Sequence, residues 1–222
     1  MNAICFSKTI GIIGGAGPMA SSCLYRKILD ICQREYGSND YNEFPQIILI
    51  SYPFIRGNPE KIQEDLALCL AKLKDAGAFV VCVASHSFHG YLPDIAGVTF
   101  VHIVNESVSE AAATNISRAL VLSAQTTRDL KLYEQKGLLC VYPNKAEQKE
   151  VSRIIREVAG GVVSAGQADS LNKMIIRAGP VDGVVLACTE LPVVHEAFPL
   201  SEDLPIIDAT EVLARRLIEL AR

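Results

Sequence analysis

An α/β fold of two similar lobes, each a parallel sheet flanked by helices, with a ligand cleft between the lobes, is predicted by three observations. Short apolar strands alternate with amphipathic helices along the whole chain, the pattern of parallel sheets covered on both faces. The order restarts near Thr114. Two strands also end alike, Val80-Val81-Cys82-Val83-Ala84-Ser85 and Gly183-Val184-Val185-Leu186-Ala187-Cys188, as though one unit occurs twice. At 222 residues the chain has room for two domains of roughly 100 residues each.

Residues 9–13 read as a buried strand running into Gly14-Gly15-Ala16-Gly17-Pro18, and a helix follows with proline in its favoured first turn. That helix extends through the apolar spacing of 20–36; 37–43 is polar loop, and 46–51 is a second strand closed by Tyr52-Pro53. Asn58-Pro59-Glu60 starts a helix, with Asn58 as cap, that runs to about Ala76 and stops at Gly77. Strands at 79–84 and 99–104 and a helix at 105–113 complete the first series. The second series has a strand at 118–123, a helix at 126–136 and a strand at 138–142. Helices at 145–159 and 166–177 follow, then the strand 181–187 that delivers Cys188. A short helix at 192–198, a strand at 204–207 and a closing helix at 210–221 end the chain. The closing helix is expected to return to the first lobe, giving lobes of 1–113 plus 207–222 and of 114–206.

Composition narrows the function classes. Half the residues are apolar and mean hydropathy is +0.25, but no apolar run approaches the roughly 18 residues of a membrane span. Lys8 interrupts the first apolar run, and glycines follow where a signal cleavage region would stand, so a cytoplasmic protein is expected. A net charge of −4 and no basic block argue against nucleic acid and anionic membranes as partners. Small molecules are the expected ligands. The seven cysteines show no CxxC and no tight Cys/His cluster, so neither a metal site nor a disulfide framework is predicted. Cys5, Cys23, Cys32, Cys69, Cys82 and Cys140 read as small apolar packing residues.

Gly15-Ala16-Gly17-Pro18-Met19-Ala20 fits the G-x-G-x-x-A pattern of dinucleotide sites. The acidic residue that would hold a ribose should end the second strand, which instead reads Ile50-Ser51-Tyr52-Pro53. The loop therefore reads better as a backbone cradle for an anion, a carboxylate as readily as a phosphate. A tight structural turn is the plainer alternative.

In a parallel α/β protein the carboxyl ends of strands face the ligand crevice, which makes Ser85 and Cys188 candidates to look into one cleft from opposite sides. Beyond the first strand stands Ser85-His86-Ser87-Phe88-His89, and beyond the second Cys188-Thr189-Glu190-Leu191-Pro192. With the Gly14 to Pro18 opening, Glu106 and Pro205-Ile206-Ile207-Asp208, these segments resemble the aspartate/glutamate racemase family along nearly the whole chain. The resemblance implies two Rossmann-like lobes and a cofactor-independent amino-acid racemase that inverts an α-carbon with two cysteines. It implies Cys188 as one acid/base residue, Thr189 and Glu190 beside the substrate, and a homodimer. Ser123, Thr126 and Thr127 fall where the family has a threonine-rich carboxylate-binding turn, although helix capping also explains them. Tyr52 ends its strand toward the crevice, as lining or as core.

The departures matter as much. The family's Cys-Asn-Thr-x-His becomes Ser85-His86-Ser87-Phe88-His89, so serine stands where the first catalytic cysteine is expected. A family arginine that grips aspartate's distal carboxylate falls near Arg56-Gly57-Asn58, with Asn58 the closest match, and a family lysine appears as Asp169. A thiol, with a pKa of ~8.5, can give or take a proton near neutral pH. A serine hydroxyl lies about seven units higher, equivalent to ~9–10 kcal/mol against forming the base, unless His86 or His89 assists. Three explanations stay open: a serine introduced to trap substrate, a natural one-thiol relative resembling arylmalonate decarboxylases, or a non-catalytic binder of an amino acid or carboxylate on the racemase scaffold. The further changes at His86 and Ser87 favour natural divergence.

Overall fold

The computed structural model describes residues 6–55, 57–200 and 203–222. Its first half runs β1 (Thr9–Gly14), α1 (Pro18–Tyr36), β2 (Ile47–Ser51), α2 (Pro59–Asp75), β3 (Ala78–Val83), β4 (Thr99–Val101) and α3 (Ile103–Ala113). The second half repeats the theme with β5 (Arg118–Ser123), α4 (Gln125–Asp129), β6 (Leu139–Val141), α5 (Lys145–Ala159), α6 (Ala165–Arg177) and β7 (Gly183–Ala187). It then adds α7 (Leu191–Ala197), β8 (Ile206–Asp208) and α8 (Ala209–Ala221). The two four-stranded sheets have the orders β2-β1-β3-β4 and β6-β5-β7-β8. Every pairing is parallel, so β3 in one lobe and β7 in the other hold the same position.

Successive side chains on a strand point to opposite faces, and here that alternation builds three apolar layers. Val80, Cys82 and Ala84 point to a central layer that also takes Ala119 and Val121 of β5 and Val185 and Ala187 of β7. Val81 and Val83 point the other way, onto the helix α2 side. Leu120, Leu122, Val184 and Leu186 pack outward against α5 and α6. The central layer is closed by α8, whose Leu213, Ala214, Leu217, Ile218 and Ala221 are fully buried among residues from both sheets. Each fully buried Leu or Ile contributes about 1.5–3 kcal/mol, so α8 is a main tie between the lobes.

A polar tie accompanies it. Lys27 on α1 is almost fully buried, and its Nζ lies 2.9 Å from Asp208 Oδ2 at the end of β8 and 3.6 Å from Glu211 on α8. β8 completes the second sheet, and α8 then packs against α1 and α3 of the first.

Several boundaries shift by one or two residues from the sequence reading, and three departures are larger. The strand expected at 99–104 stops at Val101, because His102 turns to cap the next helix, its Nδ1 facing the amide of Asn105 at 3.4 Å. The helix expected at 126–136 ends at Asp129; Lys131 has φ +51°, which no right-handed helix continues through. One turn of 3₁₀ helix at Ser87–Tyr91 had no periodic signal. Cys23, Cys32, Cys69 and Cys82 are buried as expected, Cys140 is half-buried on the edge strand β6, and Cys5 lies outside the described residues. No described helix is long and apolar enough to cross a membrane.

Candidate active site

Four loops meet at the carboxyl ends of the central strands. β1 feeds the glycine loop, β3 feeds Ser85, β5 feeds α4 and β7 feeds Cys188, and together they enclose a cavity of about 320 Å³. Ala16, Gly17 and Asn58 line it with Ser85, His86 and Ser87 from the first lobe. Thr126, Thr127, Cys188, Thr189 and Glu190 line it from the second. The two side chains at equivalent strand ends therefore share one space, and both are buried.

Their surroundings differ. Cys188 Sγ donates a hydrogen bond to Glu190 Oε2 at 2.9 Å, and Thr189 Oγ1 donates to the same oxygen at 3.3 Å. Burial first, and then the neighbouring Glu190 carboxylate, push the Cys188 pKa well above the ordinary thiol range. Glu190 reaches this position because residue 17 has no side chain: a Cβ there would collide with Glu190 Oε1. On the first lobe's side of the lining, Ser85 Oγ lies 3.5 Å from Ser87 Oγ, longer than a formed O–H···O bond.

His86 is buried, and neither of its ring nitrogens has a hydrogen-bond partner. Burial and the nearby His102 lower its pKa to about 3, so the ring is neutral. Thr127 Oγ1 is likewise buried and unpartnered. Buried polar groups are normally paired; two such groups on the wall of one cavity are what a polar ligand would satisfy.

Four expected residues stand outside the cavity lining. The Gly15 amide, at φ +100°, donates to Ser21 Oγ at 3.2 Å inside the loop, and a Cβ at this position would strike the Tyr52 backbone. Tyr52 turns its hydroxyl to Asp65 Oδ1 at 2.9 Å and packs on Phe54. His89 is held behind Ser85, its Nδ1 2.7 Å from the Ser85 carbonyl oxygen. With that nitrogen donating, His89 fixes the backbone of the Ser85 turn. Ser123 Oγ is buried without a partner, and its carbonyl accepts from Gln148 Nε2 at 2.9 Å. Arg56 lies outside the described residues.

The sequence reading also missed one wall. Pro59 and Ile62 of α2, Phe88 and Tyr91 of the 3₁₀ turn, and Ile155 of α5 line the cavity. Ile62 stands one helical turn beyond the cap Asn58, spacing that puts both on one helix face. Nothing in an apolar residue at core periodicity distinguishes a lining role from a packing one.

With this geometry in view, the likeness to known proteins can be stated. The sequence model of Asp/Glu/hydantoin racemase matches residues 13–217. The broad specificity amino-acid racemase RacX of Bacillus subtilis is 24% identical over 223 residues, covering 94% of this chain and 96% of that protein. An aspartate racemase homologue from Pyrococcus horikoshii superposes with a TM-score of 0.76 at 28% identity, over 96% of this chain and 99% of that one. The aspartate racemase of Picrophilus torridus shares the fold, with a TM-score of 0.79 at 22% identity and coverage of 96% and 94%.

Proposed function

The chain belongs to the Asp/Glu/hydantoin racemase family, and from that premise we propose that it moves the α-proton of an amino acid held between Ser85 and Cys188. The observation that carries this reading is the meeting of two equivalent strand ends in one cavity. Inversion needs one group to remove the proton and another to deliver one from the opposite face. Cys188, raised by burial and Glu190, rests as the thiol; it delivers a proton in that form and removes one after its own has passed to Glu190 Oε2, 2.9 Å away. The buried, unpartnered donors at His86 and Thr127 hold the α-carboxylate.

The Ser85 wall is the weaker half. Its hydroxyl opposes base formation by ~9–10 kcal/mol unaided, and the neutral His86 beside it is disfavoured by burial from taking up a proton. Proton transfer is therefore one-sided, fast at the thiol face and slow at the hydroxyl face. The scheme is independent of pyridoxal phosphate. The family resemblance further suggests a cytoplasmic homodimer.

A second reading follows from the same asymmetry: without a competent base at Ser85, the cavity is a binding site for an amino acid or related carboxylate, or a one-thiol site that only protonates a carbanion. Deuterium incorporation at Cα separates them. In D₂O with L- and D-amino acids, Cys188→Ala should abolish incorporation while ligand still raises the melting temperature. Incorporation that survives this substitution would remove Cys188 from the mechanism, and stabilisation without any exchange in the unaltered protein would favour the binder.

A further inference from the structure

We infer that the cavity selects amino acids with uncharged, largely apolar side chains over acidic ones; this rests on the amino-acid reading of the site. Most polar residues of the lining, Ser85 to Ser87, Thr126, Thr127 and Cys188 to Glu190, follow the carboxyl ends of β3, β5 and β7. Pro59, Ile62, Phe88, Tyr91 and Ile155 add apolar surface from α2, the 3₁₀ turn and α5 for a substrate side chain to meet. No lysine or arginine is present among the described lining residues.

Two cations on helices that border the cavity, Lys61 of α2 and Arg128 of α4, are already committed. Lys61 Nζ lies 3.0 Å from Asp65 Oδ1 and 3.4 Å from Glu64 Oε2. Arg128 donates to the Pro143 carbonyl at 3.1 Å and sits over the Tyr142 ring. The one ionisable carboxyl on the wall, Glu190, holds the Cys188 thiol and the Thr189 hydroxyl. A second, distal carboxylate would thus lose its water near the Glu190 carboxyl with no lysine or arginine among the described lining residues to pair it, and an unpaired buried ion is heavily penalised.

The α-carboxylate common to every amino acid is a different matter. His86 and Thr127, buried and unpartnered, are neutral donors enough for one such group. A second carboxylate would meet only neutral groups of the described lining, such as Asn58, Ser87 and Thr126, and no full positive charge. A cavity of about 320 Å³ is at the small end of the ~300–1,000 Å³ range of ligand pockets, which suits a side chain such as that of leucine or methionine.

The test is thermal stabilisation of the full chain by leucine, methionine, aspartate, glutamate and lysine, each as both enantiomers, with α-deuterium exchange read in parallel. Leucine or methionine should bind about 10- to 100-fold more tightly than aspartate. Equal or stronger stabilisation by aspartate or glutamate, by lysine alone, or by none of the five overturns the inference. Exchange reports separately on proton transfer: preference for leucine without exchange keeps the selectivity and defeats the catalytic reading, whereas exchange with aspartate in preference does the reverse. Asn58→Arg, which carries a guanidinium to the lining, should raise stabilisation by aspartate relative to leucine. An unchanged ratio would mean that charge does not set the choice. In Arg56→Ala the preference for leucine should persist, and its loss would also count against the proposal.

Discussion

After β3, the chain offers the cavity a serine hydroxyl with no firm hydrogen bond and a neutral, unpartnered histidine. After the equivalent strand β7 it offers a thiol donating to a buried carboxylate at 2.9 Å. The sheets match strand for strand, so the scaffold delivers two side chains to one point regardless of what they are. Which of them can exchange a proton is then decided by residue type and by the second neighbour, Ser87 or Glu190. On the proposed reading, two copies of one architecture make a site with one active face.

Making the walls alike should have the largest effect. Ser85→Cys supplies the second thiol, and proton transfer by a positioned group is worth about 10²- to 10⁴-fold; racemisation in both directions should rise by that order, followed by polarimetry or chiral chromatography. No gain with any amino acid would show that the first wall lacks more than a sulfur.

The tie between the lobes comes next. Lys27→Met leaves the largely buried Asp208 carboxyl with only the Thr210 and Glu211 amides that it caps, and breaking such a pair costs up to about 3–5 kcal/mol, read as a lower midpoint in urea unfolding. Burial opposes the Lys27 charge, but Asp208 outweighs it and raises the pKa above 10.5. That stabilisation is complete below the ordinary value and is lost as pH rises through the raised one. A wild-type-like midpoint in Lys27→Met would mean that α8 alone couples the two sheets.

Acid should act on the first wall through its histidines. His86 and His102 have folded-state pKa values lowered to about 3 and about 4, chiefly by burial, and burial also lowers His89. The unfolded chain binds those protons near 6.5, so the stability from keeping the rings neutral is present above pH 6.5 and falls as pH drops toward 4. The Cys188 wall carries Thr189 and Glu190 where the first has His86 and Ser87. His86→Asn should therefore flatten the melting temperature profile between pH 6.5 and 4, and an unchanged slope would assign the effect to the other histidines.

The smallest contrast lies in two matching helix starts. Asn58 caps α2 through one amide, that of Lys61. Asn144 caps α5 through two, with Glu147 returning a bond to the Asn144 amide. Asparagine caps are worth about 0.5–2 kcal/mol, so Asn144→Ala should cost more than Asn58→Ala in thermal unfolding. The reverse order would point to the first lobe as the less tolerant.

Much of this was legible in the chain before folding. The strand ends at Ala84 and Ala187 stand out because apolar runs with β-branched residues announce strands, and Asn58-Pro59 and Asn144 announce helix starts by capping chemistry. The helix that stops at Asp129 was overestimated because local spacing carries no warning of a left-handed residue at Lys131. His89 looked like a site residue by its place in the motif, yet its ring turns to the Ser85 carbonyl.

The sequence by itself determined the order of elements, the duplicated unit and the residue types at its two tips, since periodicity and capping act over a few neighbouring residues. Tertiary structure alone decided that those tips face one cavity and that Glu190 closes on Cys188 past a bare Gly17. It also made a wall of Ile62, Phe88 and Ile155. These outcomes join residues as far apart in the chain as Gly17 and Glu190, and such distances are set by how sheets and helices pack, which no local pattern encodes.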